Sequence, residues 1–150
     1  LYPPGLQWYW NADFFTGLSD EVIDLHIHHS ASLPTAHSTM HLYPVNGAAH
    51  RVGKNDTAWS FREANFAQVI VGVDPDPASS ERMIRWSKEY WNALHPYSAG
   101  GGYVNMIMDE GQERVQAAYR DNYPRLAEIK ARYDPHNLFR VNQNIRPARG

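Results

Sequence analysis

The sequence predicts an α+β fold, in which an antiparallel sheet carries helices packed on one face. Three observations predict it. Strand-like stretches are separated by long amphipathic excursions, hairpin signals are few, and the composition, 43% hydrophobic and 20% charged, is that of a globular chain. A chain of 150 residues is one domain or slightly less.

The first element comes from "LSDEVIDLHIHHSASLP". Its centre alternates like a strand, but Ser19 can cap a helix, and Asp20 and Glu21 suit the positive end of a helix dipole. Val22, Ile23, Leu25 and Ile27 would then share a broad apolar face, with Pro34 following the helix end. "HSTMHLYPV" reads as a strand with His37, Thr39, His41 and Tyr43 on one face and Ser38, Met40 and Leu42 on the other. "NGAAHRVGKND" is turn-rich, "DTAWSFR" reads as a short strand, and "NFAQVIVGV", bounded by "DPDP", is a firmer one. Ser79 or Ser80 caps a helix running to about His95, which would bury Met83, Ile84, Tyr90, Trp91 and Leu94. "SAGGG" is a loop of permissive backbone, and "YVNMIM" reads as another strand.

Two helical pieces follow, Gln112 to Tyr119 and Tyr123 to Tyr133. The second places Leu126, Ile129, Lys130 and Tyr133 at i, i+3, i+4 and i+7, with Pro124 tolerated in its first turn. Asp134 stands before Pro135 and is pushed out of the α region, so the helix must stop there. After it, Leu138, Phe139, Val141 and Ile145 are apolar anchors, while Asn142, Gln143 and Asn144 offer donors and acceptors without charge. Such a tail is built to pack against something.

The charge balance, 16 acids against 14 bases with no like-charged run, argues against a nucleic-acid binder held by phosphate contacts. No apolar run approaches the roughly 20 residues of a membrane helix. The absence of cysteine excludes disulfides, thiolate chemistry and cysteine metal sites, and leaves the compartment open. The start, "LYPPGLQWYW", has neither an initiator Met nor a signal-peptide pattern, which suggests a piece of a longer protein.

Eight histidines invite a metal reading. His26 and His29 could share a helix face, and His37 and His41 a strand face, but no H-E-x-x-H spacing is present. The residues therefore favour ordinary histidines over a metal site. Those on the strand could instead line a small-molecule pocket, since a neutral imidazole both donates and accepts. No G-x-S-x-G is present, and "SAGGGY" lacks the spacing and the Lys of a phosphate loop. In "GGYVNMIMDE", Tyr103 and Asn105 would project to one strand face. A phenol beside an amide suits a planar, polar-edged ligand, and suits a structural pair equally well.

Taken together, "WYWNADF", "LPTAHSTMHLYPVNGAAHRV", "DTAWSFREANF", "PYSAGGGYVNMIMDEG" and "DNYPRLAEIKARYDPHNLFRVNQNI" resemble the C-terminal part of berberine-bridge-enzyme-like FAD-linked oxidases. The resemblance covers nearly the whole chain, and its closing motifs, Y-x-N and later Y-D-P-x-N-x-F-R-x-N-Q-N-I, are specific. It implies that residues 1–109 are part of a substrate-binding domain whose sheet roofs the flavin. Residues 110–150 would be a terminal segment returning to an N-terminal FAD-binding module, which would hold most of the FAD. Tyr103 and Asn105 would face the flavin, and Asn142, Gln143 and Asn144 would dock near the cofactor-binding half, Asn144 in a structural rather than a catalytic part. Tyr103, His37, His41 and Tyr43 are the candidate proton acceptors.

Two departures from the family pattern stand out. Many relatives carry Y-x-N-Y, with the last tyrosine close to the reacting carbon, where this chain has Met106. Arg120 stands where the family commonly has glycine, a change expected to affect only a loop. The implied function is the substrate-domain part of an FAD-dependent oxidoreductase that oxidises an alcohol or amine carbon by hydride transfer. The isolated chain is expected to be inactive. Its partners would be a small-molecule substrate, the FAD-binding module and, for an uncovered fragment, a second copy in a homodimer. The alternative from another class is a stand-alone, non-catalytic α+β binding or dimerisation module.

Overall fold

Three strands form one antiparallel sheet in the order β1-β3-β2, with β3 at its centre. The structure is a computed structural model and describes residues 4–148. β3 (Phe66–Asp74) pairs along its whole length with β1 (Gln7–Phe15), and β2 (Thr39–Pro44) takes its other edge. The α+β class is as the sequence predicts. β1 corresponds to no element that periodicity suggested. Its bulky residues Trp8, Tyr9 and Trp10 occupy both faces, so it lacks the alternation that marks a half-buried strand.

Helices α1 (Asp20–Ser30) and α3 (Ser80–Leu94) pack on one face of the sheet. Their core joins Phe15, Val22, Ile70, Trp86, Tyr90 and Leu94, with Met40 and Phe66 at its margin. Ser19 caps α1 as expected, accepting the Val22 N–H at 3.3 Å. The buried face of α1 is the predicted one only in part. Val22 is buried and Leu25 packs against the core as predicted, but His26 also points inward, whereas Ile23 and Ile27 are exposed. His26 turns in because Tyr90 on α3 offers a partner, Nδ1 lying 2.8 Å from the phenol oxygen, and His29 stacks on the same ring. On α3, Met83, Tyr90 and Leu94 are buried as predicted, with Trp86 and Ser87 beside them, while Ile84 and Trp91 are half-buried.

Asn11 and Asp13, two buried polar residues of β1 on this face, are paired. The buried Asp13 carboxylate lies 2.7 Å from His95 Nδ1 and accepts from Arg114, and Asn11 bonds Ser87 and Glu110.

Several predicted elements fold differently. "DTAWSFR" forms turns, since both edges of β3 are already occupied. The turn-rich stretch before it contains the four-residue helix α2 (Ala48–Arg51). "YVNMIM" is a 3-10 turn at Val104–Met106 and not a strand. Helices α4 (Gln112–Tyr119) and α5 (Tyr123–Tyr133) have the predicted bounds. The stripe on α5 is mostly uncovered, however: Ala127 is buried, Leu126 half-buried, and Ile129 and Tyr133 exposed. Arg120 does more than occupy a loop. At φ 48° it holds a backbone conformation that favours glycine, yet its guanidinium sits 3.6 Å over the Phe61 ring, pairs with Glu63 and donates to the Ala99 carbonyl. Those contacts tie three segments together and hold the costly backbone in place.

Candidate active site

The sheet face opposite α1 and α3 is built from three cross-strand rows. They are Trp10–Val71–Thr39, Ala12–Val69–His41 and Phe14–Ala67–Tyr43. Period-2 alternation along β2 therefore puts Thr39, His41 and Tyr43 in line. Thr39 Oγ1 lies 2.9 Å from His41 Nε2, and the His41 and Tyr43 rings are parallel within 2° at 5.7 Å.

His37 does not extend this line. It lies in an exposed turn ahead of β2. The reason is next to it: Ser38 Oγ accepts the Val73 N–H at 3.2 Å, and the Thr35 hydroxyl donates to the Val73 carbonyl at 2.5 Å. Two hydroxyls replace the ladder at that point, so β2 begins only at Thr39.

The glycine-rich segment carries the next part of the site. Ala99 donates to the Phe14 carbonyl at 2.7 Å and Gly101 accepts from the Phe14 N–H at 2.9 Å, so the segment runs along the outer edge of β1. This backbone is packed rather than merely permissive. A Cβ on Gly102 would stand 2.3 Å from the Ala12 carbonyl oxygen, and one on Gly101 2.6 Å from the Ala117 carbonyl oxygen. The chain then turns over the sheet face, with Met106 N–H bonded to the Tyr103 carbonyl at 2.8 Å, and buries Ile107 against Ala12, Val69, Val71 and Val73.

This turn separates two hollows. The first is an apolar cup of about 240 Å³ lined by Phe14, Tyr43, Val45, Trp59, Ala67, Tyr103 and Met106. The second is a cleft of about 660 Å³ whose lining includes Asn105, Ile107, Asp109, Tyr119, Asn142 and Gln143. Tyr103 and Asn105 remain a pair despite the lost strand, because Asn105 Nδ2 donates to the Tyr103 phenol oxygen at 3.0 Å. With its oxygen taken by a donor, the phenol O–H is left to donate.

Tyr43 and Tyr103 thus meet in the cup, and His41 stands one row away. Asn105 and Asn142 meet in the cleft. Asn144 lies behind it, half-buried, its backbone carbonyl accepting from Gln112 Nε2 at 3.1 Å, and its Oδ1 has no partner among the described residues. Gln143 closes the cleft by donating to the Ile107 and Met108 carbonyls.

Trp59, Phe14 and Tyr119 escaped the reading of the sequence. The aromatic spacing in "WSF" was the only signal for Trp59. Burial, and then the neighbouring Tyr103, push the Tyr119 phenol above its ordinary value, so it remains a proton donor at neutral pH.

Comparison with known proteins agrees with this geometry. The family described as "Berberine and berberine like" matches residues 102–146, the segment from the turn through the tail. An uncharacterized FAD-linked oxidoreductase, YgaK of Bacillus subtilis (strain 168), is 30% identical over 132 residues, 88% of this chain and 29% of that protein. Berberine bridge enzyme-like 24 of Arabidopsis thaliana is 34% identical over 123 residues, 69% of this chain and 23% of that protein. In fold, the chain matches the structure of BBE-like #28 from Arabidopsis thaliana with a TM-score of 0.84 at 16% identity, over 97% of this chain and 34% of that one. The chain spans less than a third of the length of these two curated relatives. The matched terminal segment, the relatives and the shared fold agree in likening this chain to part of the berberine-bridge-enzyme-like FAD-linked oxidases.

Proposed function

We propose that this chain forms the substrate-facing wall of an FAD-dependent oxidoreductase that oxidises an alcohol or amine carbon of a small molecule. One observation carries the reading. Met106, at the position where many relatives bring a tyrosine close to the reacting carbon, shares the cup with Tyr43 and Tyr103, one sheet row from His41. Groups able to manage a proton therefore surround the place where the usual one is missing.

The residues present suit FAD at its ring end. The cleft offers the amides of Asn105 and Asn142, uncharged donors and acceptors that would suit a planar, polar-edged ring. Among the described residues its lining includes Asp109 and neither Lys nor Arg, which suits an isoalloxazine better than a pyrophosphate. The phosphate-binding part would then belong to an FAD-binding module elsewhere in the protein. Bound FAD supplies the chemistry that a polypeptide lacks, acceptance of a hydride from carbon.

The chain's own part is proton management and orientation. His41 takes the proton from the substrate hydroxyl or amine as the carbon is oxidised. Tyr103, its oxygen already occupied by Asn105, donates a hydrogen bond to the substrate heteroatom. The apolar cup, once covered by the flavin-binding module, would exclude water beside them. His37, on the outside of its turn, takes no part.

The test is flavin reduction in the full-length protein, followed by the loss of flavin absorbance in rapid mixing. His41→Gln is expected to slow it by roughly 10² or more, the usual worth of a positioned acid or base. Tyr103→Phe should slow it less. An unchanged rate in His41→Gln would place the acceptor elsewhere.

A further inference from the structure

We infer that Thr39 is a positioning residue: its hydroxyl accepts the Nε2–H of His41 and so leaves Nδ1 of that ring as the proton-accepting nitrogen. The inference rests on His41 being the acceptor in the reaction proposed above.

A neutral imidazole carries one N–H and one lone pair, and the hydrogen bond made by one nitrogen decides the role of the other. Nε2 of His41 lies 2.9 Å from Thr39 Oγ1. If the hydroxyl donated to Nε2, Nδ1 would hold the proton and the only lone pair on the ring would be engaged. The ring could then take a proton from substrate only by first giving up its partner. With Nε2–H donating to the hydroxyl, the Nδ1 lone pair is kept free. The second arrangement is the one a base requires.

The surroundings hold this ring in place. Thr39 and His41 are two residues apart on β2 and share a face, so they are neighbours wherever the strand pairs with β3 in this register. Thr39 is β-branched, and its few χ1 states keep the hydroxyl within reach at low entropic cost. On the far side of His41, the parallel Tyr43 ring restricts the imidazole plane, and a ring flip within that plane would put carbon in place of Nε2 beside the hydroxyl and lose the hydrogen bond. Thr39 itself stands in a row with Val71 and Trp10, away from the cup, which separates its part from that of the substrate-lining residues.

The experiment uses full-length protein labelled with 15N-histidine, with the His41 signals identified by their loss in His41→Gln. Ring 15N shifts are expected to report the Nε2–H form, with that proton protected from solvent exchange. Thr39→Val should lose the protection with its melting temperature little changed, while Thr39→Ser should keep it. An Nδ1–H ring in the unmutated protein, or protection that survives Thr39→Val, overturns the inference.

Flavin reduction separates this inference from the reading beneath it. Thr39→Val is expected to slow reduction by ~10-fold, within the range that misplacing a reacting group costs, and to add nothing on a His41→Gln background. If His41→Gln leaves reduction unchanged, the functional reading fails. If His41→Gln slows it but Thr39→Val does not, only the positioning role of Thr39 fails.

Discussion

His26 shows how one buried side chain can set a pH response. Its Nδ1 meets the Tyr90 hydroxyl at 2.8 Å, and burial, followed by the nearby His29, pushes its pKa below the ordinary histidine value. His29 is lowered as well, by burial and then His28, against a smaller opposing pull from Glu89. The unfolded chain then binds protons that the folded chain refuses, so stability rises with pH through this range. It is fully present above the unfolded histidine value of about 6.5 and declines as pH falls below it. Melting temperatures measured from pH 7.5 down to 5 should fall in the unmutated protein and fall less in His26→Gln, whose amide can still reach Tyr90. Equal slopes would assign the acid sensitivity to other groups. Burial holds the Tyr90 phenol well above its usual value, so it stays neutral throughout.

At the scale of elements, the segment 99–106 decides how the site is assembled. "YVNMIM" alternates as a strand would, yet the outer edge of β1 at Phe14 is already bonded to Ala99 and Gly101. The residues that follow have no strand edge to join, and they fold over the sheet face instead. Gly102 makes this possible, because its missing side chain lets the backbone lie against Ala12. Gly102→Ala would press a methyl into main chain on β1, where neither side can yield by rotating a side chain. A loss of about 1–3 kcal/mol in urea denaturation is expected, the usual cost of overpacking, with weakened packing of the 103–106 turn. An unchanged midpoint would mean that the segment can lift from β1 at no cost. The glycines were visible in the sequence as loop formers, but their close approach depends on two backbones far apart in the chain.

For the molecule as a whole, the informative surface is the tail. Asp134 accepts the Leu138 and Phe139 N–H groups, and Lys130, with these bonds, holds its carboxyl below the usual range. The turn is firmly made, yet it presents Leu138, Phe139 and Val141 at 76%, 75% and 81% exposure. Tyr43 and Tyr103 are also partly open. Three large apolar side chains this exposed within four residues are rarely left uncovered. The 150-residue chain by itself is therefore expected to self-associate, most simply as a two-fold dimer using the same patch on both copies. Sedimentation velocity over a hundredfold concentration range checks this. A single monomeric species at every concentration would show that the patch tolerates water.

What the sequence by itself determined was local. Ser19 starts α1, the Asp134–Pro135 pair ends α5, the run of β-branched residues makes β3, and Thr39, His41 and Tyr43 share a strand face by simple alternation. Each depends on caps, backbone restrictions or periodicity within a few residues. Tertiary structure decided the rest: that β1 is a strand, that α1 buries His26, that β2 begins after His37, and that Tyr103 and Met106 come to rest beside Tyr43. These outcomes depend on which strand edges are already bonded and which distant side chain offers a partner. The energy of such contacts lies between residues 30 to 90 places apart, so no window of sequence contains it.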